Sequence, residues 1–251
     1  MRNLLLPSVV VALLLGCVSG ARAQEDPKAL IQKSIKAHGG EDKLAKLNAT
    51  RAKAKGTVEV MGAVLGFTSD SAAQLPDKLR NELSLDAMGQ KVTVIQVFNG
   101  EKAWAWVSTV GNTQELDGAS LEEMKNAAYA ARVESLLPLL KDNSFSFAAL
   151  PETKVNGKLA VGIRVKSASH PDINLYFDKE NNLLVKTERT SLDAEMKKVL
   201  MESVYSNFKE FDGVKQPVKI VVTHNGNKFM DAEITEVKFF DKLEDSVFAK
   251  P

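Results

Sequence analysis

Two hydrophobic periods divide the chain. Between Pro27 and Ala37, Leu30, Ile31, Ser34 and Ile35 recur at helical spacing, and Pro27 suits a first helical turn. His38-Gly39-Gly40 ends that helix, because glycine accepts the left-handed conformation a helix end needs. Glu41 to Leu47 supplies at most one more helical turn. From about Arg51 the period falls to two. Val58 and Val60 alternate with Thr57 and Glu59, and Leu79, Leu83 and Leu85 alternate with Arg80, Glu82, Ser84 and Asp86. Val92 to Phe98 is β-branched and apolar, Asn99-Gly100 signals a hairpin, and Ala103 to Val107 is the return strand. This pattern predicts a meander of antiparallel strands, one face apolar and one polar.

A helical pattern interrupts the meander. Ser120 with Glu123 three residues later reads as a capping box. Leu121, Met124, Ala128, Ala131, Leu136, Leu137 and Leu140 then trace an apolar stripe. The expectation is a helix over Ser120 to Lys141, or two helices broken before Pro138. Strands then resume. Leu159, Val161, Ile163 and Val165 share a face, as do Ile173, Leu175 and Phe177. Asn156-Gly157, Asn181-Asn182 and Asn225-Gly226 mark turns among strands that include Leu183 to Thr190, Val199 to Phe211, Pro217 to His224 and Phe229 to Phe239. With no repeat and no linker, the reading is one mainly β domain with helices. It has an N-terminal helix, about ten or eleven antiparallel strands and a mid-chain helical insertion. Strand twist coils so long a sheet toward a barrel or half-barrel, and the helices are needed to cover whichever apolar face stays open.

The first 23 residues read differently. Arg2 precedes an apolar run from Leu4 to Gly16, too short for a spanning helix, and Ala21-Arg22-Ala23 has the small-x-small pattern of a secretory cleavage site. The expectation is a signal peptide over residues 1–23, a mature domain over 24–251, and a periplasmic or secreted location. Leu14-Leu15-Gly16-Cys17 supports an alternative, a lipoprotein signal that would anchor the chain in the outer membrane at Cys17.

Composition mostly excludes. A net charge of +1 provides no whole-protein field for nucleic acid. One cysteine excludes a disulfide framework, and three separated histidines form neither H-E-x-x-H nor H-x-x-x-H, so no metal and no cofactor is expected. His38 reads as a helix-end residue facing the helix dipole, and His224 as a strand-end residue at a rim. There is no G-x-S-x-G elbow and no phosphate-cradling glycine loop. Trp104 and Trp106, two apart on one strand, present one aromatic face that is either core or the wall of an apolar cavity.

One resemblance goes further. Gln74-Leu75-Pro76-Asp77-Lys78-Leu79-Arg80, then Val97-Phe98-Asn99-Gly100-Glu101-Lys102-Ala103-Trp104, and the Val247-Phe248-Ala249-Lys250-Pro251 end resemble the periplasmic lipoprotein-carrier, LolA-like family. The order of helix, meander and helical insertion is also similar. The resemblance implies a curved, incomplete antiparallel barrel with an N-terminal helix and a mid-chain helical lid. Its hollow would shield the acyl chain of a lipid or lipoprotein, and a membrane-associated donor or acceptor protein would be its partner. The family's arginine directly before the motif proline is Leu75 here, so general acyl-ligand binding is the better-supported implication. A monomer without enzymatic activity is expected. The alternatives are an envelope structural or interaction protein with a filled core, or a hydrolase, for which His224 with an acid such as Glu233 is the first place to look. By strand parity Leu83 and Leu85 share a face, as do Val92, Val94 and Phe98, and Trp104 with Trp106. As neighbours in one meander these faces are expected to line one concave surface, with Leu121, Met124, Leu136, Leu137 and Leu140 across its mouth.

Overall fold

A computed structural model of the protein describes residues 25–45, 49–87 and 89–251. The expected signal segment, its cleavage point after Ala23, and Cys17 lie outside the described residues. No helix among the described residues is long and apolar enough to cross a membrane.

The chain opens with α1 (Pro27–Ala37), whose N-terminus Asp26 caps by accepting the Ala29 amide, and a single turn, α2 (Glu41–Leu44). A meander follows: β1 (Ala49–Val60), β2 (Ala63–Gln74), β3 (Lys78–Ala87), β4 (Gln90–Asn99), β5 (Lys102–Val107) and β6 (Thr113–Leu116). Helices α3 (Gly118–Glu134) and α4 (Pro138–Lys141) interrupt it. The strands resume as β7 (Ser146–Val155), β8 (Lys158–Ser167), β9 (His170–Asp178), β10 (Leu184–Leu192), β11 (Lys198–Ser206), the small ribbon β12 (Lys209–Phe211) and β13 (Val214–Gln216), β14 (Lys219–His224) and β15 (Asn227–Phe240). A 3-10 turn over Asp245–Phe248 closes the chain.

Thirteen strands form one antiparallel sheet in the order β6-β5-β4-β3-β2-β1-β15-β14-β11-β10-β9-β8-β7. Its end strands do not pair, so the barrel is incomplete. The strand count exceeds the expected ten or eleven for local reasons. Ala72 and Ala73 and the polar stretch before them hide β2 from a hydrophobic-alternation reading. Asn207, at φ 54°, splits the expected Val199 to Phe211 strand into β11 and β12.

The asparagine-glycine turns form as read. At 156–157 and 225–226 both residues take positive φ, which a right-twisted two-residue hairpin requires. The lid is two helices, not one. The break comes at Leu136, a buried leucine at φ 65°, two residues ahead of the proline. The capping box does not form: α3 starts at Gly118 with no side-chain cap, and Glu123 is drawn across to β10 instead.

One face of the sheet carries the helices. Leu30, Ile31 and Ile35 of α1, Tyr129, Ala130 and Val133 of α3, and Leu136 and Leu139 pack on Ile163, Val165, Ile173, Leu175 and Phe177 of β8 and β9. The same face continues into the first meander, where Leu79 lies opposite Phe98, Leu83 opposite Val94 and Leu85 opposite Val92. The tryptophans do not join it. The two-residue turn at Gly100-Glu101 sets Asn99 opposite Lys102, hence Val97 opposite Trp104 and Ile95 opposite Trp106. Residues directly opposite in an antiparallel pair share a face. Trp104 and Trp106 therefore stand on the outer side, and the single concave surface expected to hold them with Leu83, Leu85, Val92, Val94 and Phe98 is not formed. The segment after β15 covers part of this outer side, where Phe248 and Leu243 pack with Ala49, Ala72 and Val97, and with Trp104 at the margin.

Candidate ligand cavity

The helices do not seal the sheet. Between them and its central strands lies a cavity of about 560 Å³, within the range of about 300–1,000 Å³ that small-molecule sites occupy. Its floor is the helix-facing side of four strands, with Thr50 on β1, Phe239 on β15, Tyr205 on β11 and Leu184 on β10. Its roof is α2 and the segment from the end of α3 through α4, including Leu44, Leu136, Leu137 and Pro138. Leu75 and Pro76, from the β2–β3 turn, and Val214 of β13 with Pro217 just after it close its sides.

Polar side chains make up nearly half of this wall, and its ionisable groups each have a distinct environment. Arg132 and Asp142 pair at 2.6 Å, and Arg132 lies over the Phe145 ring. The hydrogen bonds from the Ser144 amide and hydroxyl, and then from Arg132, hold the Asp142 carboxyl below its usual range. Glu134, in the last turn of α3, accepts from the Thr187 hydroxyl at 3.2 Å, and Thr187 and the Tyr205 hydroxyl share a hydrogen bond at 3.1 Å. Burial pushes the Glu134 carboxyl above the ordinary carboxylate range, against the opposing pull of Arg189, Thr187 and Tyr205. Glu134 keeps some accessible surface because that surface faces the cavity. Burial, and then the Glu134 charge, push the Tyr205 phenol well up, so it stays a neutral donor.

His38 forms one corner of the cavity and is only 8% exposed. Its Nδ1 meets the Lys215 carbonyl at 2.7 Å, and its Nε2 accepts the Leu184 amide at 3.1 Å. An imidazole that accepts at Nε2 and faces a carbonyl at Nδ1 is the neutral Nδ1–H form. It ties the end of α1 to β10 and to the β12–β13 ribbon, a role that a helix-dipole reading does not contain. Burial lowers its pKa, the Lys215 carbonyl bond opposes that shift, and the nearby Lys215 charge adds to it. The unfolded chain therefore takes up a proton as pH falls below about 6.5, while the folded state resists it. Stability from this group is full above that value and is lost as pH falls toward the lower, folded-state pKa. His38→Gln keeps an acceptor and a donor at similar positions but cannot titrate. Urea midpoints are expected to fall less between pH 7.5 and 5.5 in His38→Gln than in wild type. An unchanged pH slope would show that His38 does not carry it.

Of the twelve residues read as cavity or lid, the structure places two, Leu136 and Leu137, in this wall. Leu140 packs half-buried on the main core. Leu121 and Met124 pack with Phe98, Ala103 and Ala128, so the first half of α3 seals the sheet there. Leu83 and Leu85 pack with Val58 and Phe67, and Val92 and Val94 stand half-buried beside them. Leu85 also borders a second depression of about 830 Å³, a polar groove walled by Lys55, Lys91, Lys219 and Asp231. Trp104 and Trp106 are on the far side of the sheet. His224 stacks on Phe229 at 4.1 Å, while Glu233 lies opposite Lys219 on the outer face, so the suggested acid–histidine pair does not assemble. Among the described residues no three His, Cys, Asp or Glu side chains cluster as metal ligands would. The sequence reading missed His38 as a wall residue, and also Glu134, Leu184, Tyr205 and Phe239. Glu134 did leave a signal: three residues beyond Ala131, it is an acid on the apolar stripe of α3.

No family model matches this sequence, and no curated protein matches it by sequence. Solved structures do match it. A DUF1329 family protein from Desulfovibrio piger superposes with a TM-score of 0.58 at 12% identity, over 90% of this chain and 98% of that one. A LolA superfamily protein from Nitrosomonas europaea gives 0.55 at 11% identity, over 89% and 97%. A putative outer membrane lipoprotein-sorting protein domain from Vibrio parahaemolyticus gives 0.53 at 11% identity, over 88% and 97%. At such identities the likeness is one of fold, and function must be argued from the site. At that level the expected likeness holds: the fold is similar to those of the LolA superfamily protein and the lipoprotein-sorting domain.

Proposed function

We propose that this chain is an exported envelope protein that binds or carries an acylated ligand, a lipid or lipoprotein, with an acyl chain held in the cavity between sheet and helices. The observation that carries the reading is the cavity itself: about 560 Å³, with leucine, proline, valine and phenylalanine forming half of its wall, beneath a short helical roof. Burial of hydrocarbon contributes about 0.8 kcal/mol per methylene, enough for tight binding without any catalytic group. The fold shared with a LolA superfamily protein and a lipoprotein-sorting domain supports a carrier over an enzyme. The reading of residues 1–23 as an export signal supports a periplasmic location, and exchange with a membrane-associated donor or acceptor would complete the role.

The test is binding of a fluorescent fatty-acyl probe, with mass spectrometry of lipids retained by the purified mature protein. Leu137→Asp puts a charge in the apolar roof at a half-buried site, where leaving it unpaired costs several kcal/mol in the bound state. Probe affinity is expected to fall at least about tenfold in a variant that still melts cooperatively. Val94→Asp, on the same sheet face but outside the wall, is expected to bind as wild type does. If wild-type protein takes up no probe and retains no lipid, the filled-core reading replaces the carrier.

A further inference from the structure

Among the described residues the wall of the cavity contains four charged side chains, and three are neutralised by neighbours. Arg132 pairs with Asp142 at 2.6 Å, and Lys141 pairs with Glu41 at 2.9 Å. The fourth, Glu134, has no ion-pair partner among the described residues. The nearest basic residue on the facing strand, Arg189, is held by Glu123 at 2.9 Å, and the Ser191 hydroxyl binds the same Glu123 oxygen at 2.6 Å. His38, at the other side of the cavity, is kept neutral because its Nε2 accepts the Leu184 amide. What Glu134 does receive is neutral: the Thr187 hydroxyl at 3.2 Å and the Tyr205 hydroxyl, which also meets Thr187. A carboxylate has about four acceptor positions, so capacity remains on the side that faces the cavity.

Resting on the cavity reading above, we infer that the preferred occupant is an amphiphile with an ammonium head, and that Glu134 receives that head while the chain lies along the leucine-lined roof. Burial disfavours the charged form of Glu134, and an ammonium supplies the counter-charge that restores it, in surroundings where water screens little. A carboxylate head of the same chain length meets a like charge at that point. A hydroxyl head can donate one hydrogen bond but brings no charge. Placed polar groups beside apolar wall are what fix orientation and choice of ligand.

The experiment is displacement of the fluorescent acyl probe at pH 8 by dodecylamine, dodecanol and dodecanoate. The expected order is amine, then alcohol, then carboxylate, with amine and carboxylate separated by about tenfold or more. In Glu134→Gln, amine and alcohol are expected to become equal. Thr187→Val, which leaves the carboxylate in place, should keep the preference for the amine and guards against a folding defect in the first variant. Equal displacement by amine and alcohol in wild type, or a preference that survives in Glu134→Gln, overturns the inference and leaves the cavity reading intact. If neither the probe nor any of the three compounds binds, the cavity reading fails, and this inference with it.

Discussion

Replacing Gly56 by alanine is expected to cost more than about 3 kcal/mol, at the upper end of overpacking effects, and to leave little cooperative unfolding in urea. Gly56 lies mid-strand in β1, between Phe67 of β2 and Ala232 of β15. A Cβ there would sit 2.0 Å from the Asp231 carbonyl oxygen and 2.9 Å from its carbon. Both are backbone atoms, so no rotamer change relieves the overlap, and β15 would have to leave its register. β1 and β15 join the two halves of the sheet, so displacement there opens the floor of the cavity as well. Gly66 is the internal control. It lies one pair along, opposite Thr57, and a Cβ on it meets nothing within 4 Å. Gly66→Ala is expected to keep the wild-type urea midpoint. Equal midpoints for the two variants would show that β15 tolerates the displacement.

Truncating Phe248 to alanine is expected to destabilise by about 3–5 kcal/mol, the usual cost of emptying a buried phenylalanine site. For a domain of this size that lowers the melting temperature by roughly 6–20 °C. Phe248 has no exposed surface. It packs with Ala49, Ala72 and Val97, lies under the Lys78 ammonium, and its carbonyl accepts from Asn99 at 3.3 Å. Lys78 also pairs with Asp245 at 2.7 Å, which fastens the segment at a second point. Trp104 borders the same cluster, so its fluorescence should shift to the red as the segment loosens. Trp104 emission unchanged in a variant of wild-type stability would mean that the segment is held by its polar contacts alone.

How much of this was legible depends on the range of each interaction. Local chemistry was read well. The helix at Pro27–Ala37 agrees to the residue, and the asparagine-glycine turns fall between the strands they were expected to join, because both signals lie within a few residues of one another. Register across a hairpin is also encoded locally. A two-residue turn at Gly100-Glu101 already pairs Val97 with Trp104, which puts the tryptophans on the face away from Val94 and Phe98. The capping box failed because a long-range partner won: Glu123 is better satisfied by Arg189 and Ser191, about 66 residues away, than by an amide of its own helix. The cavity was the least legible part. Its floor joins Thr50 to Leu184, Tyr205 and Phe239, residues that only the completed strand order brings together. The hydrophobic pattern marks which side of each strand is apolar, but not where the helices stop short of it.

A sheet that never closes has two ends, and each exposes a row of unpaired amides and carbonyls on which a second molecule could build. Neither end here offers a long template. At one, β6 is four residues long, carries Glu115 paired to Lys102, and is tied through the Thr113 hydroxyl to the Pro251 carbonyl. At the other, β7 loses register between Leu150 and Thr153, where Pro151 has no amide to donate and Glu152 holds a charge against Lys179. Edge-to-edge growth would meet a short strand on one side and a proline-broken, charged one on the other. Such ends disfavour edge-to-edge pairing of an open thirteen-stranded sheet.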